Sequence, residues 1–181
     1  MPRIDRSRVK ALIAEEEKRF VREHQRSKEL FKRGQSVLLA GVPMNWMIRW
    51  AGPFPIFAKS GRGARITDVD GNSYIDFCLG DTGSMFGHSP KPVVDAVSKQ
   101  VRNGITMMLP TEDSIWVGEE LGRRFGLPYW QIVMTATDAN RYCIRLARMA
   151  TKRKKILVVN GCYHGSVDEA LASLEGGRVV P

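Results

Sequence analysis

The stretch that decides the fold is residues 131–159, QIVMTATDANRYCIRLARMATKRKKILVV. Its pattern predicts a short apolar strand over 131–134, a turn over 135–138, a helix over 139–150 and a second strand over 156–159. The apolar residues of the helix recur at three- and four-residue spacing, which places them on one face. Strands that are apolar throughout are typical of a parallel sheet covered on both sides. The stretch therefore predicts one β-α-β unit of an α/β sheet.

Upstream of this unit, the pattern predicts a β-hairpin followed by two helices. Residues 64–68 and 73–77 alternate in polarity around the Asp-Gly pair at 70–71, which is a strong hairpin signal. The glycine-containing segment 79–90 is expected to be a loop. Helices are predicted over 92–103, with four valines facing inward (Val93, Val94, Val97 and Val101), and from about 111 to 125, with Gly104 and Gly126 after their ends.

The N-terminal third is predicted to be a helix followed by an irregular segment. Residues 4–33 contain neither proline nor glycine, so they predict one long helix that ends at Gly34. Residues 41–63 are rich in aromatic residues, prolines and glycines. A long irregular segment of this kind is often functional or interfacial, but it could equally cap the core of its own subunit.

Composition and charge indicate a globular cytoplasmic protein. The chain has 181 residues, of which 43% are hydrophobic and 26% charged. It has no apolar run long enough to span a membrane and no apolar block typical of a signal peptide. The odd number of cysteines, three, fits reduced thiols. The net charge of +9 is not accompanied by an aromatic and basic platform, so nucleic-acid binding is not expected.

The first candidate site is the turn at 135–138, between the predicted strand and helix. The first turn of a helix has unpaired amides and a partial positive charge, which together bind phosphate. Small residues let the backbone approach an anion, and Thr137 could add a hydroxyl donor. The alternative is ordinary capping by Thr135, Thr137 or Asp138, which spacing alone favours.

The second candidate site is residues 161–166, GCYHGS, just past the second strand. Ligands of open α/β sheets bind at this edge. Tyr163 could lie flat on a planar ligand and His164 could donate a hydrogen bond to it. Cys162 with His164 could instead form a nucleophilic thiol, or a metal site with His88, but two ligands do not make a zinc site. No metal site is predicted, and dinucleotide-binding and P-loop motifs are absent.

In their order along the chain, these motifs resemble the class III aminotransferases. The motifs are DVDG at 68–71, YIDF at 74–77, GHSP at 87–90, the turn at 135–140 and YHG at 163–165. The family consists of pyridoxal 5'-phosphate (PLP) enzymes of the aspartate-aminotransferase fold, fold type I. It includes glutamate-1-semialdehyde aminomutase and β-amino-acid transaminases. The resemblance runs from about Gly34 to the C-terminus.

The resemblance implies a cofactor site and a substrate entrance. Ala136 and Thr137 match the residues that hold the cofactor phosphate, and Tyr163 matches the aromatic residue that stacks on the pyridine ring, with His164 beside it. Trp46 and Arg49 match the segment that lines the substrate entrance, where Arg49 could pair with a carboxylate. The family's Ser-Gly-Thr-Glu turn is Thr-Ala-Thr-Asp here, a change that keeps the amide donors.

The resemblance also implies that no catalytic residue lies in this chain. In the family, the aspartate that pairs with the pyridinium nitrogen and the Schiff-base lysine come later, and neither has a matching position before Pro181. We therefore expect the N-terminal portion of an aminotransferase, inactive alone. We also expect its uncovered strands to make the isolated chain aggregate or stay partly unfolded.

The expected organisation has three parts: a basic helix over 1–33, a segment with the aromatic loop and hairpin over 34–104, and the start of the large PLP-binding domain over 105–181. The implied reaction is transfer of an amino group between an amino acid and a keto acid by a cytoplasmic homodimer. The alternatives are a glutamate-1-semialdehyde-type aminomutase and a non-catalytic dimerisation module.

Overall fold

The computed structural model describes residues 4–180; the ends of the predicted first and third parts, residues 1–3 and 181, lie outside it. The described chain divides into two compact units, residues 4–106 and 107–180. The first unit contains α1 (Arg6–Glu23), α2 (Gln25–Gly34), β1 (Ala58–Arg62), β2 (Arg65–Asp68), β3 (Ser73–Ile75) and α3 (Lys91–Asn103). The second contains α4 (Glu112–Phe125), α5 (Ala136–Thr151), β4 (Ser173–Glu175) and β5 (Arg178–Val180).

The prediction of one helix over 4–33 is wrong, because the helix breaks at His24. This residue has φ −127° and ψ 46° and separates α1 from α2. Its Nδ1 donates to the carbonyl of Phe20 at 2.7 Å, and its Nε2 lies 2.7 Å from the hydroxyl of Tyr74. The carboxylate of Asp70 accepts hydrogen bonds from the amides of Arg26 and Ser27 at 2.6 and 3.1 Å. A distant carboxylate therefore caps α2 as an N-cap side chain would.

The predicted hairpin is confirmed, and a third strand extends it. β2 pairs antiparallel with β3, with Ile66 opposite Tyr74, and β1 pairs with the other edge of β2. β1 was not predicted because its sequence, AKSGR, lacks the β-branched and aromatic residues that mark strands. The hairpin turn returns the chain so that Asp68, which is 1% exposed, accepts hydrogen bonds from the amides of Asp70 and Asn72.

The aromatic segment partly caps the core of its own unit. Phe54 is buried and its ring lies 5.1 Å from that of Phe20, which stacks on His24 at 4.2 Å. In contrast, Trp46 and Trp50 remain exposed and contact each other edge to face at 6.0 Å. The capping interpretation therefore holds for Phe54, while the two tryptophans remain accessible.

The segment 79–90 is a loop, as predicted, and α3 follows it with Pro92 in its first turn and Gly104 just beyond its end. The expectation that α3 turns its valines inward is wrong in this structure. Their exposed fractions are between 43% and 56%, for Val94 and Val93 respectively, with Val97 and Val101 between. The helix forms because its local signals suffice, and within the described residues its apolar face remains about half exposed.

In the second unit the helices follow the prediction and the strands differ from it. α4 begins after Thr111 and ends at Gly126, whose φ is +70°. α5 starts at Ala136, three residues earlier than predicted. The segments 131–134 and 156–159 flank α5, but within residues 4–180 neither pairs with another strand. Most of their side chains are exposed, up to 94% for Leu157, and a short parallel pair without covered faces is not stable by itself.

A hairpin near the C-terminus was not predicted. β4 and β5 pair antiparallel around Gly176 and Gly177, whose φ angles are +55° and +80°. A Gly-Gly pair is a known hairpin signal because both residues adopt positive φ readily.

Within residues 4–180, no helix is both long enough and apolar enough to cross a membrane.

Candidate functional site

The first turn of α5 combines a cap with free amide donors. The Thr135 hydroxyl oxygen accepts from the amide of Asp138 at 3.1 Å and donates to its carboxylate at 2.8 Å. The preceding amides, of Ala136 and Thr137, have no acceptor among residues 4–180. The capping and anion-binding interpretations are therefore compatible, because the cap uses only the third amide of the turn.

The loop that carries Tyr163 packs directly on this turn. Gly165 is buried with φ +105°, and a Cβ built on it would lie 2.6 Å from Thr137 Oγ1 and 3.0 Å from Thr137 Cα. A side chain cannot occupy that space, and positive φ disfavours one as well. Glycine at position 165 therefore permits the two candidate sites to touch.

A side-chain hydrogen bond also connects the same two elements. Asn140 Nδ2 donates to the backbone carbonyl of His164 at 2.9 Å. Asn140 is half-buried and lies three residues after Thr137 on α5, so both side chains project from neighbouring positions on one face. Tyr163 is 72% exposed, and its hydroxyl lies 3.3 Å from the hydroxyl of Ser166. The ring of Tyr163 is thus accessible beside the turn.

Four of the predicted site residues belong to this local surface, and two lie elsewhere. Ala136, Thr137, Tyr163 and His164 are in the second unit, although the His164 side chain is exposed and only its carbonyl contacts α5. Trp46 and Arg49 belong to the short helical turn Asn45–Arg49 of the first unit. Trp46 Nε1 donates to the sulfur of Met44 at 3.2 Å, and Arg49 has no ion-pair partner among residues 4–180.

The sequence analysis missed a buried polar group around Asp68. Its carboxylate accepts from the Tyr74 hydroxyl at 2.7 Å and from Asn72 Nδ2 at 3.0 Å, and His24 Nε2 lies 3.5 Å away. Burial by itself would raise the pKa of Asp68, but the hydrogen bonds from Asn72, Tyr74 and two backbone amides outweigh it and lower the pKa. Burial and the neighbouring Asp68 raise the pKa of Tyr74 far above its ordinary value.

A second missed pair joins Asp76 and His88. His88 Nε2 lies 2.6 Å from Asp76 Oδ2, and the other carboxylate oxygen accepts from the amides of Cys78 and Leu79. The hydrogen bond from His88, followed by that from the Leu79 amide, lowers the pKa of Asp76. Asp76 and His88 both lie in motifs on which the family resemblance rests, YIDF at 74–77 and GHSP at 87–90. Membership of these motifs was the signal in the sequence that could have identified the pair. The pair fastens the start and end of the loop 79–90 to each other.

The metal interpretation finds no geometric support in the described chain. The three cysteines, including Cys162, are exposed and form no disulfide within it. Between residues 4 and 180, no three His, Cys, Asp or Glu side chains are grouped closely enough to hold a metal ion.

The start of α5, with two free amides, thus lies beside a loop that carries an accessible aromatic ring. The model of the family "Aminotransferase class-III" matches residues 46–176. The chain belongs to the class III aminotransferases, as its motifs indicated.

Among relatives, the glutamate-1-semialdehyde 2,1-aminomutase of Methanosphaera stadtmanae is 39% identical over 155 residues, which cover 84% of this chain and 36% of that protein. The corresponding enzyme of Cenarchaeum symbiosum is 36% identical over 83% of this chain and 36% of its own length. The chain thus spans little more than a third of the length of these curated relatives.

The solved structures confirm the predicted fold class. A glutamate-1-semialdehyde-aminomutase from Pseudomonas aeruginosa PAO1 superposes with a TM-score of 0.90 at 50% identity, over 98% of this chain and 40% of that one. A variant of it was crystallised in complex with PMP. The chain is a partial α/β structure of the PLP-dependent transferases of fold type I. Segments 131–134 and 156–159, which were predicted to be strands, are unpaired within residues 4–180.

Proposed function

We propose that this chain supplies the phosphate- and ring-binding part of a PLP site in an enzyme that transfers an amino group between an amino acid and a keto acid. The observation that supports this proposal is the contact of Gly165 with Thr137. It places a loop with an accessible tyrosine against a helix start that has two amides to donate. A planar aldehyde that carries a phosphate ester matches both features.

The residues present fit this cofactor. The amides of Ala136 and Thr137 would hold the phosphate at the positive end of α5, and the Thr137 hydroxyl would add a donor. Tyr163 would cover one face of the pyridine ring, and His164 would donate beside it. When bound, PLP supplies an electron sink for bonds at the carbon that bears the amino group. We assign no catalytic residue to these 181 residues.

For the substrate we propose the segment of Trp46 and Arg49. Arg49 is exposed and has no acidic partner among the described residues, so its guanidinium can bind a carboxylate in a bidentate manner. Trp46 and Trp50 are exposed on the same short segment and can contact an apolar or aromatic substrate side chain. An amino acid or keto acid has the carboxylate that this segment would select.

The second candidate function is internal transfer of an amino group, as in glutamate-1-semialdehyde aminomutase. The names of the curated relatives and of the Pseudomonas aeruginosa structure support it. The two reactions are separated by an amino-donor screen with the complete protein that the gene encodes. Formation of an amino acid from an added keto acid supports the transaminase, and isomerisation of glutamate-1-semialdehyde without a keto acid supports the aminomutase.

We further propose a cytoplasmic homodimer. The exposed valine face of α3 is apolar surface that association could cover, and the three unpaired cysteines fit a reducing compartment. Light scattering after size-exclusion chromatography gives the mass of the assembly. A monomer at micromolar concentration would contradict the dimer without affecting the proposed cofactor site.

The cofactor proposal is tested by removing a single amide donor. Ala136→Pro deletes the amide at the first helical position, where proline is tolerated, and Thr135 already has the extended backbone that proline requires before it. The matched control, Glu112→Pro, places proline at the first position of α4, where Thr111 is also extended. The variants are made in the complete protein that the gene encodes.

We expect wild type and Glu112→Pro to bind PLP with equal affinity and to develop the visible absorbance of bound cofactor. Ala136→Pro is expected to bind roughly tenfold more weakly, because a charge-assisted hydrogen bond is lost. A wild-type protein that develops no absorbance with PLP would overturn the proposal and favour a non-catalytic dimerisation module.

A further inference from the structure

Asn140 connects α5 to the loop that carries Tyr163. Its Nδ2 donates to the carbonyl of His164, the residue between Tyr163 and Gly165. Among residues 4–180, this is the only hydrogen bond between α5 and residues 161–165. The loop has glycines with positive φ at both ends, Gly161 at +79° and Gly165 at +105°. Because glycine is conformationally permissive, the backbone at these two ends restricts the segment little, and contacts with α5 restrict it further.

The same bond relates the loop to the amides of the helix start. Asn140 and Thr137 are three residues apart on α5, so their separation is set by the helix. Gly165 contacts Thr137 and His164 bonds to Asn140, so two consecutive loop residues are held against one helical turn. The peptide preceding them carries Tyr163. The position of the tyrosine relative to the Ala136 and Thr137 amides therefore depends on the Asn140 bond.

We propose that Asn140 is a positioning residue that aligns Tyr163 with the phosphate-binding amides of α5. Asn140 acts through the backbone of His164 and need not touch the ligand. Its carboxamide is suited to this role because Nδ2 is a neutral donor for a carbonyl. The inference rests on the proposed cofactor site and deepens it. In that site the phosphate is bound by α5 and the ring by the loop that carries Tyr163, and Asn140 fixes the position of the loop relative to α5.

The test compares two ligands that share a phosphate and differ in the ring. Pyridoxamine 5'-phosphate (PMP) uses both the amides and Tyr163, whereas inorganic phosphate uses only the amides. Asn140→Leu removes the donor and keeps a side chain of similar size. We expect PMP to bind roughly 3- to 10-fold more weakly, from the loss of one hydrogen bond, and inorganic phosphate to bind within about twofold of wild type. The induced circular dichroism of bound PMP should also decrease.

Two further variants, Asn140→Asp and Asn160→Asp, distinguish the loss of the Nδ2 donor from the effect of an added negative charge. Asn140→Asp loses the donor and adds a negative charge. Asn160→Asp adds the same charge beside the loop, but Asn160 Oδ1 already accepts from the Leu174 amide at 2.8 Å, so that bond is retained. We expect the selective loss of PMP affinity in Asn140→Asp and not in Asn160→Asp. Asn140→Asp also serves as the test variant if Asn140→Leu does not fold.

The outcomes distinguish this inference from the proposed function. If the wild-type protein binds neither PMP nor PLP, the cofactor site itself is wrong. If wild type binds PMP and Asn140→Leu binds it with the same affinity and dichroism, Asn140 does not position the loop. If the variants lose PMP and inorganic phosphate in the same proportion, Asn140 acts on the helix start and the positioning role is overturned.

Discussion

Gly165 lies so close to Thr137 that a Cβ at position 165 would come within 2.6 Å of Thr137 Oγ1. This contact joins a loop and a helix start that the chain separates by nearly thirty residues. It brings together, on one surface, the two candidate sites of the sequence analysis, the turn at 135–138 and the segment 161–166. A substitution at Gly165 is therefore expected to affect both motifs.

Gly165→Ala should destabilise the protein and weaken PMP binding. The added methyl group meets Thr137, and φ of +105° strains any side chain, so we expect a loss of about 2–4 kcal/mol in the free energy of unfolding. Gly161→Ala is the matched control: its φ is +79°, but a Cβ there has nothing within 4 Å. Urea unfolding measures both. Equal losses would show that backbone strain, and not the contact with Thr137, explains the effect.

Asp68→Asn should lower the free energy of unfolding at neutral pH. It should also make that free energy change less as the pH falls. The folded-state pKa of Asp68 is lowered from the ordinary 3.8, so its carboxylate stabilises the fold above about pH 5 and loses that contribution as pH falls through the folded pKa. We expect a loss of about 2 kcal/mol at pH 7, since hydrogen bonds to a buried carboxylate are weakened.

Unfolding free energies of wild type and Asp68→Asn from pH 7 down to pH 3 check this prediction. The difference between the two proteins should shrink as the pH falls. Asp95→Asn, on the exposed face of α3, is the control and should follow the wild-type profile. A difference for Asp68→Asn that is constant over the whole range would contradict the sign of the pKa shift.

His24→Ala should destabilise the junction between α1 and α2. It removes the partner of the Phe20 carbonyl and of the Tyr74 hydroxyl, as well as a side chain that is 8% exposed, so a loss of about 2–3 kcal/mol is expected. Thermal unfolding compares it with His164→Ala, which removes an exposed imidazole and should change stability by less than about 0.5 kcal/mol. Similar melting temperatures for the two variants would show that His24 is not structural.

Val97→Glu should reduce association of this chain without unfolding it. Val97 is 55% exposed on α3, so a charge there costs little in folding and interrupts an apolar face. We expect less binding of a hydrophobic dye and a smaller aggregated fraction on size-exclusion chromatography. Phe54→Glu, at a buried position, is the contrasting variant and should unfold the first unit. Unchanged dye binding by Val97→Glu would show that the valine face is covered.

The sequence correctly predicted those helix ends and turns that are set by residues adjacent to them in the chain. Pro92 and Gly104 bound α3, and Gly126 follows the end of α4, because these residues act through their own backbone. The Asp-Gly turn produced the predicted hairpin for the same reason. The break at His24 was missed because its partner Tyr74 is 50 residues away in the chain. No pattern within residues 4–33 indicates that contact.

The amino-acid sequence alone determined the family, the fold class and the presence of a helix that ends near residue 150, because motif order and helix signals are properties of the linear chain. Only the tertiary structure decided that Thr137 and Gly165 touch, that Asn140 bonds to the His164 carbonyl, and that Asp68 is enclosed by His24, Asn72 and Tyr74. The physical reason is that Thr137 and Gly165, Asn140 and His164, and His24 and Asp68 are pairs of residues distant in sequence. Their energies depend on burial and distance, which exist only after the chain has folded.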